Sequence, residues 1–171
     1  ILDTARLRSR LSEYYNINQS NVHAYVFGEH GDSSFIPWSV ANISNVPIKE
    51  CKKLITTPGI NTPELDFGEI EQYVRKSGAR VIARKGATFY AVSVSVCHIC
   101  KCLLCGIDTT MTVSTMMHGE YGIEDVALST LNMVGHYGVR GKVNVPMTDE
   151  EVMLLRKSAD TLKDVISNLD I

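Results

Sequence analysis

The 171-residue sequence predicts an α+β fold, in which helices pack on an antiparallel sheet. Apolar residues recur at helical spacing near both ends of the chain, over residues 3–15 and 148–169. Between them, residues 111–116 alternate between two faces, which is the pattern of a strand. Helices mixed with an antiparallel set of strands define the α+β class.

The first third of the chain is predicted to hold one helix and one strand before a long excursion. The helix begins at Asp3, which is a favourable N-cap residue, and ends near Tyr15. Residues 22–27 form a strand that leads into a glycine-rich loop, and residues 37–41 form a short helix or strand. The residues that punctuate the surface excursion are Pro47, Pro58, Gly59 and Pro63.

Two further helices are predicted in the middle of the chain. The first runs from about Glu64 or Glu69 to Lys85. The second, over residues 88–105, reads as one buried helix that Gly106 closes at its C-terminal end. The apolar residues that the first of these helices turns inward are Ile70, Val74, Val81 and Ile82.

The last part of the chain is predicted to complete the sheet and to end in a helix. A turn at residues 119–122 separates the strand over residues 111–116 from strands over residues 126–134 and 139–145. Thr148 caps the final helix, and Glu151 stands three residues on, as in a capping box. The apolar positions at helical spacing in that helix are Val152, Leu155, Ala159, Leu162, Ile166 and Leu169.

Composition excludes several classes of partner. The chain carries 17 Lys+Arg against 19 Asp+Glu, so no basic excess predicts nucleic-acid binding. No apolar run reaches the roughly 18 residues of a membrane span, and the first residues lack the features of a signal peptide. The odd number of five cysteines favours free thiols and a cytoplasmic location. The length fits one domain over residues 1–171.

The cysteine-rich segment allows an alternative interpretation as a metal site. Four cysteines follow C-x2-C-x-C-x2-C spacing with His98 among them, which can indicate zinc or an iron–sulfur cluster. On one helix, however, Cys97, Cys100 and Cys105 cannot converge with Cys102 on one ion. Free cysteine also behaves as a small buried apolar residue. We therefore expect no metal here.

One histidine stands where it can carry chemistry. His30 lies between Gly28 and Gly31, directly after the predicted strand, in the run Gly-Glu-His-Gly-Asp-Ser. Histidine titrates near neutral pH and can both donate and accept a proton. Glycines let the backbone turn sharply and leave space beside the ring. A second cluster, Leu-Asp-Thr-Ala-Arg at residues 2–6, places Asp3 and Arg6 on one helix face.

These two clusters resemble the L-lactate and malate dehydrogenase family, and the bacterial L-lactate dehydrogenases most closely. Residues 2–6 match the family's leucine-aspartate-serine/threonine-alanine-arginine helix start, and residues 29–33 match its glutamate-histidine-glycine-aspartate-serine loop. Residues 85–88, 119–122 and 158–163 also fit the family. The resemblance covers the whole chain but only the second half of a family member, because no G-x-G-x-x-G dinucleotide fingerprint is present. It implies a separate catalytic and substrate domain, with NAD bound mainly by the other half.

The resemblance also implies roles for individual residues. His30 is the proton donor and acceptor in the interconversion of a 2-keto and a 2-hydroxy acid, with the hydride belonging to the nicotinamide. Asp3 holds the tautomer of that ring and stabilises its charged form, and Arg6 pairs with the substrate carboxylate. Thr88 lies beside the substrate's small side chain, and Val92 lies against the nicotinamide. Taken singly, each has a plainer interpretation as a cap, a surface charge or a packing residue.

Two more positions match an activator site. Arg8 and His23 correspond to the residues that bind fructose 1,6-bisphosphate in allosterically activated bacterial lactate dehydrogenases, which implies a homotetramer when the protein is whole. We expect the 171-residue chain alone to be inactive. Two alternatives remain: a malate or other L-2-hydroxy acid dehydrogenase domain, and a non-catalytic fragment that self-associates through exposed apolar surface.

Overall fold

The computed structural model describes residues 1–54 and 64–169. The α+β prediction is confirmed: helices pack against antiparallel sheets. The helices are α1 (Leu2–Tyr15), α2 (Cys51–Leu54), α3 (Phe67–Arg75), α4 (Ser77–Lys85), α5 (Tyr90–Leu104) and α6 (Asp149–Ser167). The strands are β1 (Val22–His23), β2 (Asn42–Ile43), β3 (Val46–Pro47), β4 (Thr109–His118), β5 (Glu124–Gly135) and β6 (Gly138–Lys142).

The larger sheet is the antiparallel set that the sequence predicts. Its order is β4-β5-β6, and Thr109 pairs with Val134 at one end of the β4–β5 ladder. The predicted turn at residues 119–122 contains a 3-10 turn over Glu120–Gly122. Alternation along β5 buries Val126 and Leu128 on the inner face, as period-two patterning requires.

The smaller sheet, β1-β2-β3, is much shorter than the sequence predicts. Only Val22 and His23 of the predicted strand 22–27 pair in a ladder, and Phe27 makes an isolated bridge to Phe35. Residues 37–41 form turns rather than a helix or a strand, so that prediction is wrong. Pro47 ends β3, whereas Pro58, Gly59 and Pro63 lie outside the described residues.

The helix predicted to end at Lys85 is two helices, α3 and α4, separated at Lys76. Ile70 and Val74 are buried, as predicted. Val81 and Ile82 are exposed, so their predicted inward orientation is wrong. After the break at Lys76, Ser77 is the one buried residue of α4.

Helix α5 is exposed along most of its length, which contradicts the prediction of a buried helix. It begins at Tyr90, and Cys102 is its one buried residue. Its predicted end is confirmed: Gly106 has a φ of +63°, and the N–H of Ile107 donates to the carbonyl of Cys102 at 3.2 Å. This is the hydrogen bond of a Schellman cap.

Helix α6 begins with the predicted capping box, in which Thr148 and Glu151 each accept from the other's backbone N–H. Leu155 and Ala159 are buried in a cluster with Phe27 and Phe35. Ile166 and Leu169, in contrast, are exposed. The first half of α6 therefore packs directly beneath the segment that leads to His30.

The described residues contain neither a helix that could span a membrane nor a cluster of metal-ligating side chains. Within 1–54 and 64–169, no helix combines the length and apolar character needed to cross a membrane. In the same ranges, no three His, Cys, Asp or Glu side chains lie together as metal ligands would.

Candidate functional site

The histidine loop is closed at its base and fixed to the large sheet. Phe27 and Phe35 exchange two backbone hydrogen bonds, of 2.9 and 3.1 Å, across the base of the loop. Gly28 exchanges two more, both of 3.0 Å, with Ser129 of β5. The backbone of the loop is therefore held at both ends before His30 makes any contact of its own.

Asp3 joins the two clusters that the sequence singled out. Its Oδ2 lies 2.8 Å from Nδ1 of His30, and its Oδ1 accepts from Nη1 of Arg6 at 2.7 Å. The prediction that Asp3 caps α1 is wrong, because the N-cap is Ile1 and Asp3 lies inside the first turn. Both carboxylate oxygens are free for side chains for that reason, and the negative charge still lies at the favourable end of the helix.

The geometry assigns different roles to the two ring nitrogens of His30. A carboxylate only accepts hydrogen bonds, so Nδ1 carries the proton toward Asp3. Among the described residues, Nε2 has no hydrogen-bond partner. The side chain of His30 is 85% exposed, whereas that of Asp3 is 21% exposed. The largely buried carboxylate of Asp3 thus orients the solvent-exposed ring of His30.

Thr4 is a supporting residue that the sequence reasoning missed. Its buried Oγ1 accepts from the N–H of Val26 at 3.0 Å and lies 2.9 Å from Oγ1 of Thr112. These contacts join α1, the segment before the histidine loop, and β4. A β-branched hydroxyl one position after Asp3, on the side of the helix that also buries Leu7, was the only signal available in the sequence.

Ser158 is a second missed residue. It is fully buried on α6, and its Oγ contacts the backbone of Glu29 and the side chain of Ser33. Its position beside Leu155 and Ala159, on the apolar face of an amphipathic helix, was the available signal. A buried hydroxyl at such a position needs a hydrogen-bond partner.

A cavity of about 580 Å³ opens beside the dyad of Asp3 and His30. Val92, Val96 and Ile99 of α5 also line it, as part of an apolar wall. The structure therefore brings Asp3, His30 and Val92 to one cavity.

Arg6 and Thr88 are not among the residues that line this cavity. Arg6 reaches the site through Asp3, with which it forms an ion pair whose two side chains are 18% and 21% exposed. Thr88 lies in the connection between α4 and α5 and not within a helix, so the predicted helix start at this residue is wrong.

The two residues predicted to bind an activator are neighbours in the fold. Nε of Arg8 donates to the carbonyl of Ala24 at 3.2 Å, and its guanidinium lies 5.2 Å from the centre of the Tyr25 ring. His23 directly precedes Ala24 and is exposed on β1. Arg8 lines a second cavity of about 480 Å³, which His23 does not line.

The cysteines of α5 are divided between surface and core. Cys97, Cys100 and Cys105 are exposed, and Cys102 is buried with its Sγ 4.0 Å from Nε2 of His98.

The comparison with protein families agrees with this architecture and identifies the class. A family described as the lactate/malate dehydrogenase, alpha/beta C-terminal domain matches residues 1–170. The chain belongs to this family and represents its C-terminal domain.

Relatives of this chain include bacterial L-lactate dehydrogenases. Those of Acetivibrio thermocellus and Thermoanaerobacterium saccharolyticum are each 40% identical to this chain, over 175 and 176 residues. The matches cover 100% of this chain and 53% and 54% of the relatives. This chain therefore spans about half the length of the relatives it matches.

Solved structures lead to the same class. An L-lactate dehydrogenase from Clostridium thermocellum superposes with a TM-score of 0.87 at 37% identity, covering 100% of this chain and 54% of that one. A minor L-lactate dehydrogenase from Enterococcus mundtii gives a TM-score of 0.89 at 29% identity, covering 99% and 53%.

Proposed function

We propose that this chain is the catalytic and substrate-binding domain of an NAD-dependent L-lactate dehydrogenase that interconverts pyruvate and L-lactate in the cytoplasm. The observation that carries the proposal is the 2.8 Å contact between Asp3 and His30, with Arg6 held on the other oxygen of the same carboxylate. This arrangement supplies a proton donor and acceptor beside a cation suited to a carboxylate substrate. The names of the relatives support lactate as the hydroxy acid.

His30 handles the proton in the proposed reaction. In the direction of keto-acid reduction, the charged ring donates a proton from Nε2 to the substrate oxygen, and in the reverse direction the neutral ring accepts it. Asp3 keeps the ring in the productive tautomer and balances its charge when it is protonated. The contact at Nδ1 leaves Nε2 as the nitrogen that faces substrate.

Arg6 is proposed to bind the substrate carboxylate. A guanidinium offers two parallel hydrogen bonds to a carboxylate, which fixes the orientation of the reacting carbon. The ion pair with Asp3 engages Nη1 and fixes the direction of the side chain. Thr88 is proposed to lie beside the substrate methyl group once the substrate is bound.

The cavity wall formed by α5 fits one face of a nicotinamide ring. Val92, Val96 and Ile99 present aliphatic carbon toward the space beside His30, which suits the flat face of a nicotinamide ring. When bound, NAD supplies or takes the hydride. The chain's own contribution is to exclude water on this side and to orient the substrate.

Helix α5 also supports the existence of a second folded unit in the working enzyme. Val94 and Leu104 are 70% and 80% exposed, which is unusual for aliphatic residues along a largely apolar helix. Exposed apolar surface of this kind is typical of an interaction site. We propose that a dinucleotide-binding half covers it.

A substitution at His30 tests the proposed chemistry. In the protein that carries this chain together with its dinucleotide-binding half, His30→Ala should lower kcat for pyruvate reduction by about 10²- to 10⁴-fold, with NADH affinity nearly unchanged. The matched control is His118→Ala, which removes an exposed histidine at the end of β4 and should leave kcat unchanged. Full activity in His30→Ala would refute the proposal.

The activator site is proposed to include Arg8 and His23 near a dyad of the tetramer. A doubly phosphorylated sugar needs clustered cations, and a two-fold axis doubles each one. Fructose 1,6-bisphosphate should then increase the rate and favour the tetramer.

A rate titration with fructose 1,6-bisphosphate tests this assignment. The double variant Arg8→Gln/His23→Gln should lose the activation and keep the basal rate, because neither residue contacts Asp3 or His30 in the described structure. Arg10→Gln is the matched control on the same helix, since Arg10 pairs with Glu69 instead. Equal activation of the double variant and the wild type would exclude these two residues.

A further inference from the structure

The buried hydroxyl of Ser158 joins helix α6 to the loop that carries His30. Its Oγ accepts from the N–H of Glu29 at 2.8 Å and lies 2.9 Å from Oγ of Ser33. These contacts fall one residue before His30 and three residues after it. The N–H of Ser33 donates in turn to Oε1 of Glu29 at 3.1 Å, which closes the loop on itself.

The packing between α6 and the loop has no spare space. A Cβ built on Gly28 would lie 2.6 Å from Oγ of Ser158, closer than Cβ atoms approach other heavy atoms in proteins. Gly28 also has a φ of +95°, which favours glycine. The hydroxyl of Ser158 can therefore approach the loop this closely only because residue 28 is a glycine.

Helix α6 is itself firmly placed. Leu155 and Ala159, on either side of Ser158, pack in the same buried cluster as Phe27 and Phe35, which close the base of the loop. The hydroxyl is thus held between two parts of one rigid core. A shift of α6 along its axis breaks both hydrogen bonds to the loop.

We propose that Ser158 is a positioning residue for His30. The His30 side chain is 85% exposed and has one hydrogen-bond partner among the described residues, Asp3. With so little packing around the ring, its place relative to Asp3 depends on the backbone of the loop. Ser158 holds the loop at two residues: it accepts from the backbone N–H of Glu29, and it contacts the side-chain hydroxyl of Ser33.

The proposal predicts a change in the ring itself, and it rests on the proposed function only for its effect on turnover. Ser158→Ala leaves the Glu29 N–H without its acceptor and frees the loop. The neutral ring of His30 should then move from the Nδ1–H tautomer that Asp3 selects toward the Nε2–H tautomer. ¹⁵N NMR of the histidine ring in the 171-residue chain, above neutral pH, measures this directly.

The same variant is expected to be slower in the protein that carries both halves. Its kcat/KM for pyruvate should fall about 10- to 100-fold, mostly in kcat, as expected for a catalytic group misplaced by a fraction of an ångström to one ångström. Ser167→Ala is the matched control, because Ser167 is exposed on the same helix and, within residues 1–54 and 64–169, its hydroxyl makes one hydrogen bond, to the carbonyl of Asp164. It should leave both the tautomer and kcat/KM at wild-type values.

A second variant covers the case in which Ser158→Ala does not fold. Ser33→Ala removes the contact from the loop side and leaves the Glu29 N–H satisfied, so it should shift the tautomer in the same direction by less. Wild-type tautomer and kcat/KM in folded Ser158→Ala, or in Ser33→Ala where the first variant is unfolded, would overturn the proposal. Wild-type activity in His30→Ala refutes the proposed function instead, and the tautomer measurement still decides the role of Ser158.

Discussion

Replacing Thr4 with valine tests whether one buried hydroxyl holds helix α1, which carries Asp3, to the segment that leads to His30 and to strand β4. Thr4 Oγ1 is the acceptor for the buried N–H of Val26 and the partner of Oγ1 of Thr112. Valine keeps the branched shape, so the change removes the two hydrogen bonds with little change in the shape of the side chain. Two buried polar groups then have no partner.

The expected magnitude follows from those two groups. A buried donor or acceptor left without a partner costs about 1–3 kcal/mol, so two of them cost about 2–6 kcal/mol. The methyl that replaces the hydroxyl returns about 0.8 kcal/mol of burial. Thr4→Val should therefore lower the free energy of unfolding by roughly 1–5 kcal/mol, a large share of the total of about 5–15 kcal/mol for a domain.

A double-mutant cycle separates the hydrogen bonds from the general loss of a hydroxyl. Thr112→Val alone leaves the bond between Val26 and Thr4 intact and should cost about 1 kcal/mol. The double variant has only the Val26 N–H unsatisfied, so it should be more stable than the sum of the single variants predicts, by about 1 kcal/mol. Urea unfolding followed by circular dichroism measures all four free energies. Strict additivity, or a Thr4→Val variant within about 0.5 kcal/mol of wild type, would refute the reasoning.

Two further predictions concern a substrate contact and the response to acid. In the protein that carries both halves, Arg6→Lys should raise KM for pyruvate and lower kcat, because lysine keeps the charge but lacks the planar guanidinium that pairs with a carboxylate. Wild-type values for both constants would show that Arg6 does not contact the substrate. The pKa of Glu120 is lowered, first by the backbone N–H of His118 and further by Lys142. A lowered carboxyl pKa contributes stability that is present above the unfolded-state pKa and is lost as pH falls through the folded-state pKa. Wild type should therefore be more stable than Glu120→Gln at neutral pH and lose that advantage in acid, and a pH-independent difference in Tm would contradict this.

The elements that could be predicted from sequence are those whose patterns are local. The alternation over residues 111–116, the capping box at Thr148 and the terminating Gly106 each specify their structure through neighbours a few residues away. The same reasoning failed where local signals compete. Residues 37–41 carry apolar side chains but form turns, and Lys76 interrupts a helical pattern without any glycine or proline at that residue.

The candidate site could be predicted only in part, because its supports come from distant segments. The pairing of Asp3 with His30 was expected from the resemblance to a family, but the position of Asp3 inside the first turn was not. Ser158 lies more than 120 residues from the loop that it contacts. The exposure of α5 was missed because the apolar composition of a helix predicts that it is buried, but does not show whether the covering surface belongs to the same 171 residues.

The shared carboxylate of Asp3 has a consequence for how substrate and proton enter the proposed reaction together. With a neutral His30 ring, the charges of Asp3 and Arg6 cancel across their 2.7 Å contact. Protonation of the ring, 2.8 Å from the other oxygen, gives the cluster one positive charge. An anionic keto acid brings one negative charge, so it is balanced only when the ring is protonated, which is the form that can donate. After donation the ring is neutral, and the hydride that reduces the keto carbon would leave a positive charge on the nicotinamide, so the total charge of the complex is unchanged. One aspartate that holds both side chains therefore links the binding of substrate to the availability of the proton, and a separate partner for each side chain would not.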